Sequence, residues 1–155
     1  MKWITRERPK IDRVACPWLI ARFIDNAPEF LFVHPDEVAR EAIIHGAVPF
    51  DVEGVELSHD GPLCSFDAFL TKYQLHGDPA LERIAVIVRG ADTARLDLAP
   101  EAAGLLAVSL GLSAMFEDDH RQIEQGFLVY DALYAWCQRA AHETHTWNPQ
   151  KAQPG

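Results

Sequence analysis

Residues 2–52 read KWITRERPKIDRVACPWLIARFIDNAPEFLFVHPDEVAREAIIHGAVPFDV, and this stretch decides the fold. Residues 2–5 form a short apolar run of strand type. Residues 17–24, PWLIARFI, read as a helix with Pro17 at its first position, where a missing N–H costs nothing. That reading makes Cys16 the N-cap; a helix already running from Asp12 and kinked at Pro17 is the alternative. Residues 29–33, EFLFV, are apolar and follow a proline, which predicts a buried strand. Residues 36–44 predict a helix closed by Gly46, and residues 47–52 a third strand. The order βαβαβ favours a partly parallel sheet.

Downstream the pattern changes. Asp51, Gly54, Ser58, Asp60, Gly61 and Pro62 make a turn-rich segment, after which Ser65 caps a short helix through Tyr73. Asp78-Pro79 is an N-cap followed by proline at the first helical position. Residues 84–88 fit the helix that follows and are β-branched enough to be a strand. Residues 100–115 and 118–141 predict two further helices. The expected class is α+β, with a small mixed or partly parallel sheet in the N-terminal half and a helical C-terminal half. Residues 1–147 are expected to form one domain and residues 148–155 a frayed tail.

Composition narrows the function classes. A chain of 155 residues with 48% hydrophobic and 24% charged residues is an ordinary globular domain. No apolar run approaches the ~18 residues a membrane helix needs. The first residues become charged where a signal peptide needs its apolar core. Three cysteines, Cys16, Cys64 and Cys137, without a CxxC pair suit a reducing compartment, so a cytoplasmic location is expected. A net charge of −9 argues against direct DNA binding, because phosphate contacts need a basic face. No glycine-rich phosphate loop and no G-x-S-x-G occurs.

Four stretches carry a resemblance: residues 2–25 (KWITRERPKIDRVACPWLIARFID), 50–69 (FDVEGVELSHDGPLCSFDAF), 87–113 (IVRGADTARLDLAPEAAGLLAVSLGLS) and 117–137 (EDDHRQIEQGFLVYDALYAWC). Together they resemble the C-terminal domain of the chromate-resistance protein ChrB family, over nearly residues 2–147. The resemblance implies a role in chromate resistance beside a chromate efflux transporter, or in regulating its operon. Longer members carry an additional N-terminal region, so a DNA-reading role located there is not expected here. The resemblance transfers no catalytic residue, and the sequence does not assign turnover.

Three chemistries remain open on the residues themselves. The first is a metal centre. His120 and Glu124 are i, i+4 on one helix, a spacing that offers two ligands to one ion. Asp131 lies on the same stripe, within about 40° at 100° per residue, as a possible outer partner. His59 sits in the turn-rich segment beside Cys64 and Asp67. A set of His59, His120 and Glu124 suits a divalent or trivalent zinc, iron or manganese ion with an open position for an oxyanion. The second is a non-catalytic chromate or sulfate sensor built on Arg8, Lys10 and Arg13, a local basic patch. The third is a thiol reductase: Cys16 at a helix N-terminus would have a lowered pKa. Asp92 and Arg95, in a polar stretch between helices, form an ion pair or line the site. A homodimer is the expected assembly for a small acidic domain.

Overall fold

The computed structural model describes residues 1–145 and residue 150. The expected tail therefore lies outside the described residues, apart from Gln150. Strand β1 (Lys2–Arg6) is central, flanked by β2 (Glu29–Val33) and β3 (Val48–Pro49) in the order β2-β1-β3. Both pairings are parallel, with Trp3 opposite Phe30 and Val48. The helices are α1 (Asp12–Leu19), α2 (Val38–His45), α3 (Ser65–Lys72), α4 (Pro79–Asp92), α5 (Ala102–Met115) and α6 (Asp119–Ala135). The class is α+β, as expected. No helix among the described residues is long and apolar enough to cross a membrane.

Alternation along β1 separates two cores. Trp3 is buried in the large cluster, with Trp18, Phe50, Phe66, Phe69 and Tyr130. Ile4, one residue on, enters a small cluster with Val38, Ala42 and Ala47 beside α2. This is the period-two geometry of a strand covered on both faces.

Several boundaries differ from expectation, each for a local reason. Helix α1 begins at Asp12, so Pro17 lies inside it and Cys16 is not an N-cap. Downstream of the proline the coil widens into a π-turn at Ile20–Ile24, closed by Asp25 N–H donating to the Ile20 carbonyl at 2.8 Å. The third strand shrinks to Val48–Pro49. Pro49 has no N–H for a ladder, and at Asp51 the chain turns to φ 50°. Cys64, not Ser65, caps α3. Residues 84–88 are helical, inside α4. At the C-terminal end α6 passes at Trp136 into a π-turn through Ala140.

Close packing of α6 on α1 depends on one glycine. A Cβ at Gly126 would lie 2.5 Å from Val14 Cγ1. Valine in a helix has one favoured χ1 and cannot swing away. Gly126→Ala should therefore lose stability by about 1–3 kcal/mol despite alanine's better helix propensity. Adding Val14→Ala should recover part of that loss. Urea denaturation of the two single variants and the double one measures it, and simple additivity would contradict the contact.

Candidate metal centre

Four side chains from three segments converge at the C-terminal edge of β1. Asp12 opens α1. Asp51 follows β3, with its N–H donating to the Leu57 carbonyl at 2.8 Å, which folds the 51–57 loop back. His59 comes from the same long loop, and Asp92 is the last residue of α4. Among the described residues, the grouping whose ligand atoms all lie within 4.8 Å is Asp12, His59 and Asp92. His59 Nε2 lies 2.9 Å from Asp92 Oδ2, 3.4 Å from Asp51 Oδ1 and 3.6 Å from Asp12 Oδ2.

Asp12 is fully buried and held by the start of α3. Ser65 N–H donates to its Oδ2 at 2.7 Å and Phe66 N–H to its Oδ1 at 3.1 Å. A carboxylate at a helix N-terminus meets free N–H groups and the positive end of the dipole. Burial nevertheless raises its pKa well above the ordinary range, and Asp92 and Asp51 add to the rise. Asp92 is pushed up by the same causes, burial first and then Asp51.

Asp51 goes the other way. Burial raises it, but hydrogen bonds from His59 and Ser65 and the charges of Arg6 and Arg13 overcome that and leave it below the usual carboxylate range. The Ser65 hydroxyl donates to Asp51 Oδ1 at 2.7 Å, and Arg6 Nη2 lies 3.0 Å from Oδ2. His59 is raised to about 9, first by the Asp51 hydrogen bond and then by the charges of Asp12, Asp51 and Asp92, against partial burial. Asp92 is nearer in space, yet its own carboxyl is harder to ionise, which leaves Asp51 the stronger anionic partner. A cleft of about 470 Å³, lined by Arg6, Pro35, Asp51, Gly54, Ser58 and His59, opens onto this edge of the cluster.

The expected site residues are dispersed. Of the set His59, His120 and Glu124, only His59 lies here. The His120 ring packs edge-on against Phe32 with centroids 5.2 Å apart, and Glu124 is exposed on α6. Asp131 is occupied elsewhere, accepting from the Trp18 indole at 2.8 Å and from Arg22 twice.

The two arginines of the basic patch are spent on the protein itself. Arg8 donates to the carbonyls of Ser113, Phe116 and Glu117 at the end of α5. Arg13 donates to the carbonyls of Arg6 and Glu7 and lies 3.5 Å from Asp51. Lys10 is exposed. The seat an anion would take at α3 is filled by Asp12.

Cys16 does not have the activated thiol its expected position implied. It is buried inside α1 and donates to Asp12 Oδ1 at 3.4 Å; burial and the Asp12 charge raise its pKa well above the free value. Cys64 is also pushed up by burial. Asp67 accepts from the Cys64 N–H and is gripped by Arg89 through Nε at 3.0 Å and Nη2 at 2.8 Å. Arg95 pairs with Asp97, not Asp92.

Asp92 was expected only as an accessory group, and Asp12 and Asp51 were not expected at all. Asp12 had a legible signal: with Cys16, Leu19 and Ile20 it lies on one helical stripe that is otherwise apolar and buried. An acid on a core stripe needs a partner to sit there.

The family model described as "ChrB, C-terminal domain" matches residues 3–137. Protein ChrB of Cupriavidus metallidurans is 32% identical over 155 residues, covering 97% of this chain and 42% of that protein. The chain thus spans less than half the length of the relative it matches. No solved structure matches it.

Proposed function

The chain belongs to the ChrB C-terminal domain family, and from that premise we propose that it is a cytoplasmic metal-holding domain of the chromate response. Its centre is Asp12, His59 and Asp92, and the ion is reached by an oxyanion through the adjoining cleft. The observation that carries this reading is the convergence of three carboxylates on one imidazole nitrogen. Like charges this close raise one another's pKa values and are brought together at a cost. A cation bound among them removes that repulsion.

One nitrogen and two carboxylate donors suit manganese, iron or zinc. Three protein ligands leave coordination positions open, and the cleft lies where an external ligand would approach. Arg6, Arg13 and Ser65 hold Asp51 ionised beside the centre, so it acts on the ligands and on whatever enters. Chromate or sulfate is the class of anion the family points to. The identity of the ion decides whether the domain senses or transforms it.

Metal analysis of the tag-free protein tests the reading. The wild type should bind one manganese, iron or zinc ion per chain after chelation and reloading. His59→Ala and Asp92→Asn should each weaken binding by at least about 100-fold, while His120→Ala should leave it unchanged. Absence of binding in the wild type, or its loss in His120→Ala alone, would refute the centre.

A further inference from the structure

Helix α5, AAGLLAVSLGLSAM, carries no charged residue and is apolar on every side apart from Ser109 and Ser113, which are buried. A helix of this kind is normally enclosed. Here one whole arc faces solvent, with Val108 47%, Leu110 46% and Met115 73% exposed. Between them lie Gly104, Ala107, Gly111 and Ala114, also exposed. Not one exposed side chain on α5 is polar.

We infer that this face of α5 is the contact between two copies of the chain, packed as an antiparallel helix pair about a two-fold axis near Ser109. Three observations select a second copy as occupant. The first is spacing. Gly104, Ala107, Gly111 and Ala114 follow a 3-4-3 pattern that reads the same in reverse. A perpendicular two-fold sets Gly104 against the copy's Ala114, and Ala107 against its Gly111. On the flanks of this stripe the same two-fold sets Val108 against the copy's Val108 and Leu110 against the copy's Leu110. A self-complementary patch is what an isologous contact requires.

The second is charge. The chain carries a net −9, so two copies repel over most of their surfaces. A charge-free helix about 21 Å long, at 1.5 Å per residue, is a face on which they meet without ion pairing. The third is shape. A groove of about 410 Å³ runs alongside, lined by Ile87, Leu105, Val108, Val129 and Leu133 with Glu101 at one point of its wall. It receives a bulky apolar side chain from the facing copy, while the small residues let the helix axes approach closely.

The glycines allow a clean test. A Cβ at Gly104 or Gly111 meets nothing within 4 Å in the single chain. Gly111→Leu therefore fits the monomer and improves helix propensity, yet blocks close approach of a copy. Ala107→Glu places a charge at the centre of the contact. Sedimentation velocity at tens of micromolar should show a dimer for the wild-type chain. Each variant should run as a monomer, with self-association weakened by at least about 100-fold. Far-UV circular dichroism should stay unchanged and the Gly111→Leu thermal midpoint should be no lower. A monomeric wild type, which would leave the face to a lipid surface or a different protein, overturns the inference. So does a dimer that survives both substitutions.

Discussion

Asp12→Ala should destabilise the protein by about 2–4 kcal/mol, a fall in Tm of roughly 5–15 °C at this chain length. Asp12 is the bolt between α1 and α3. Its carboxylate takes the N–H groups of Ser65 and Phe66, both buried, and the Cys16 thiol. Alanine leaves those donors without acceptors where water does not reach, and leaves a small void. One effect opposes this. Removing Asp12 also removes its repulsion with Asp92 and Asp51, which adds to the rise in its own pKa that burial begins. Orphaned donors outweigh that relief, because His59 already lies against all three carboxylates and Arg6 and Arg13 against Asp51.

Asp12→Asn separates the two effects. It keeps one acceptor oxygen of the same shape, discards the charge and turns an NH2 toward the other backbone N–H, so it should recover only part of the loss that alanine causes. Its metal affinity should fall as far as that of Asp92→Asn. Calorimetric melting and metal titration on the same samples check both. Equal destabilisation by alanine and asparagine would show that a single acceptor oxygen without the charge does not hold the helices together.

Arg89→Met should cost about 2–4 kcal/mol by a different route. Arg89 reaches Asp67 with two parallel N–H donors, a geometry lysine cannot reproduce. The Asp67 side chain is 7% exposed and that of Arg89 23%. Taking the guanidinium away strands a buried carboxylate, the costly half of breaking such a pair. Asp67 also closes the capping box at the start of α3, where it accepts from the Cys64 N–H at 3.0 Å. Asp67→Asn should therefore be milder, and the double variant less destabilised than the two losses added. Additive losses in chemical denaturation would mean that the pair is not coupled. Loosening the start of α3 should also weaken metal binding, because Ser65 and Phe66 orient Asp12.

Local pattern made the scaffold readable. The apolar runs at β1 and β2, the left-handed Gly46 closing α2 and the Asp78-Pro79 start of α4 stand where short-range physics puts them. Each depends on residues within a few positions: alternation, a cap, a proline that needs no N–H. The α+β class and the family follow from such segments together. His59 was legible as a candidate ligand for the same reason, an imidazole in a turn-rich loop away from any apolar periodicity.

Its partners were not. Spacing on one helix pointed to His120 and Glu124, but the companions of His59 lie at the start of α1, after β3 and at the end of α4. Those carboxylates are separated by 39 and 41 residues, and only the parallel sheet and the docking of α1 on α3 bring them together. Likewise Arg8 and Arg13 form a basic patch in sequence, yet each turns its donors to nearby carbonyls once the chain closes on itself. Cys16 shows the same limit: Pro17 favoured a helix start there, but the hold of α3 on Asp12 lets the helix begin five residues earlier, the kinked alternative, and buries the thiol. By itself the sequence determined most of the helices and the first two strands, because those follow from neighbours along the chain, while residues 84–88 stayed open between helix and strand and the third strand was read too long. Tertiary structure alone decided which charges meet, because an ion centre depends on distances between elements that local spacing does not encode.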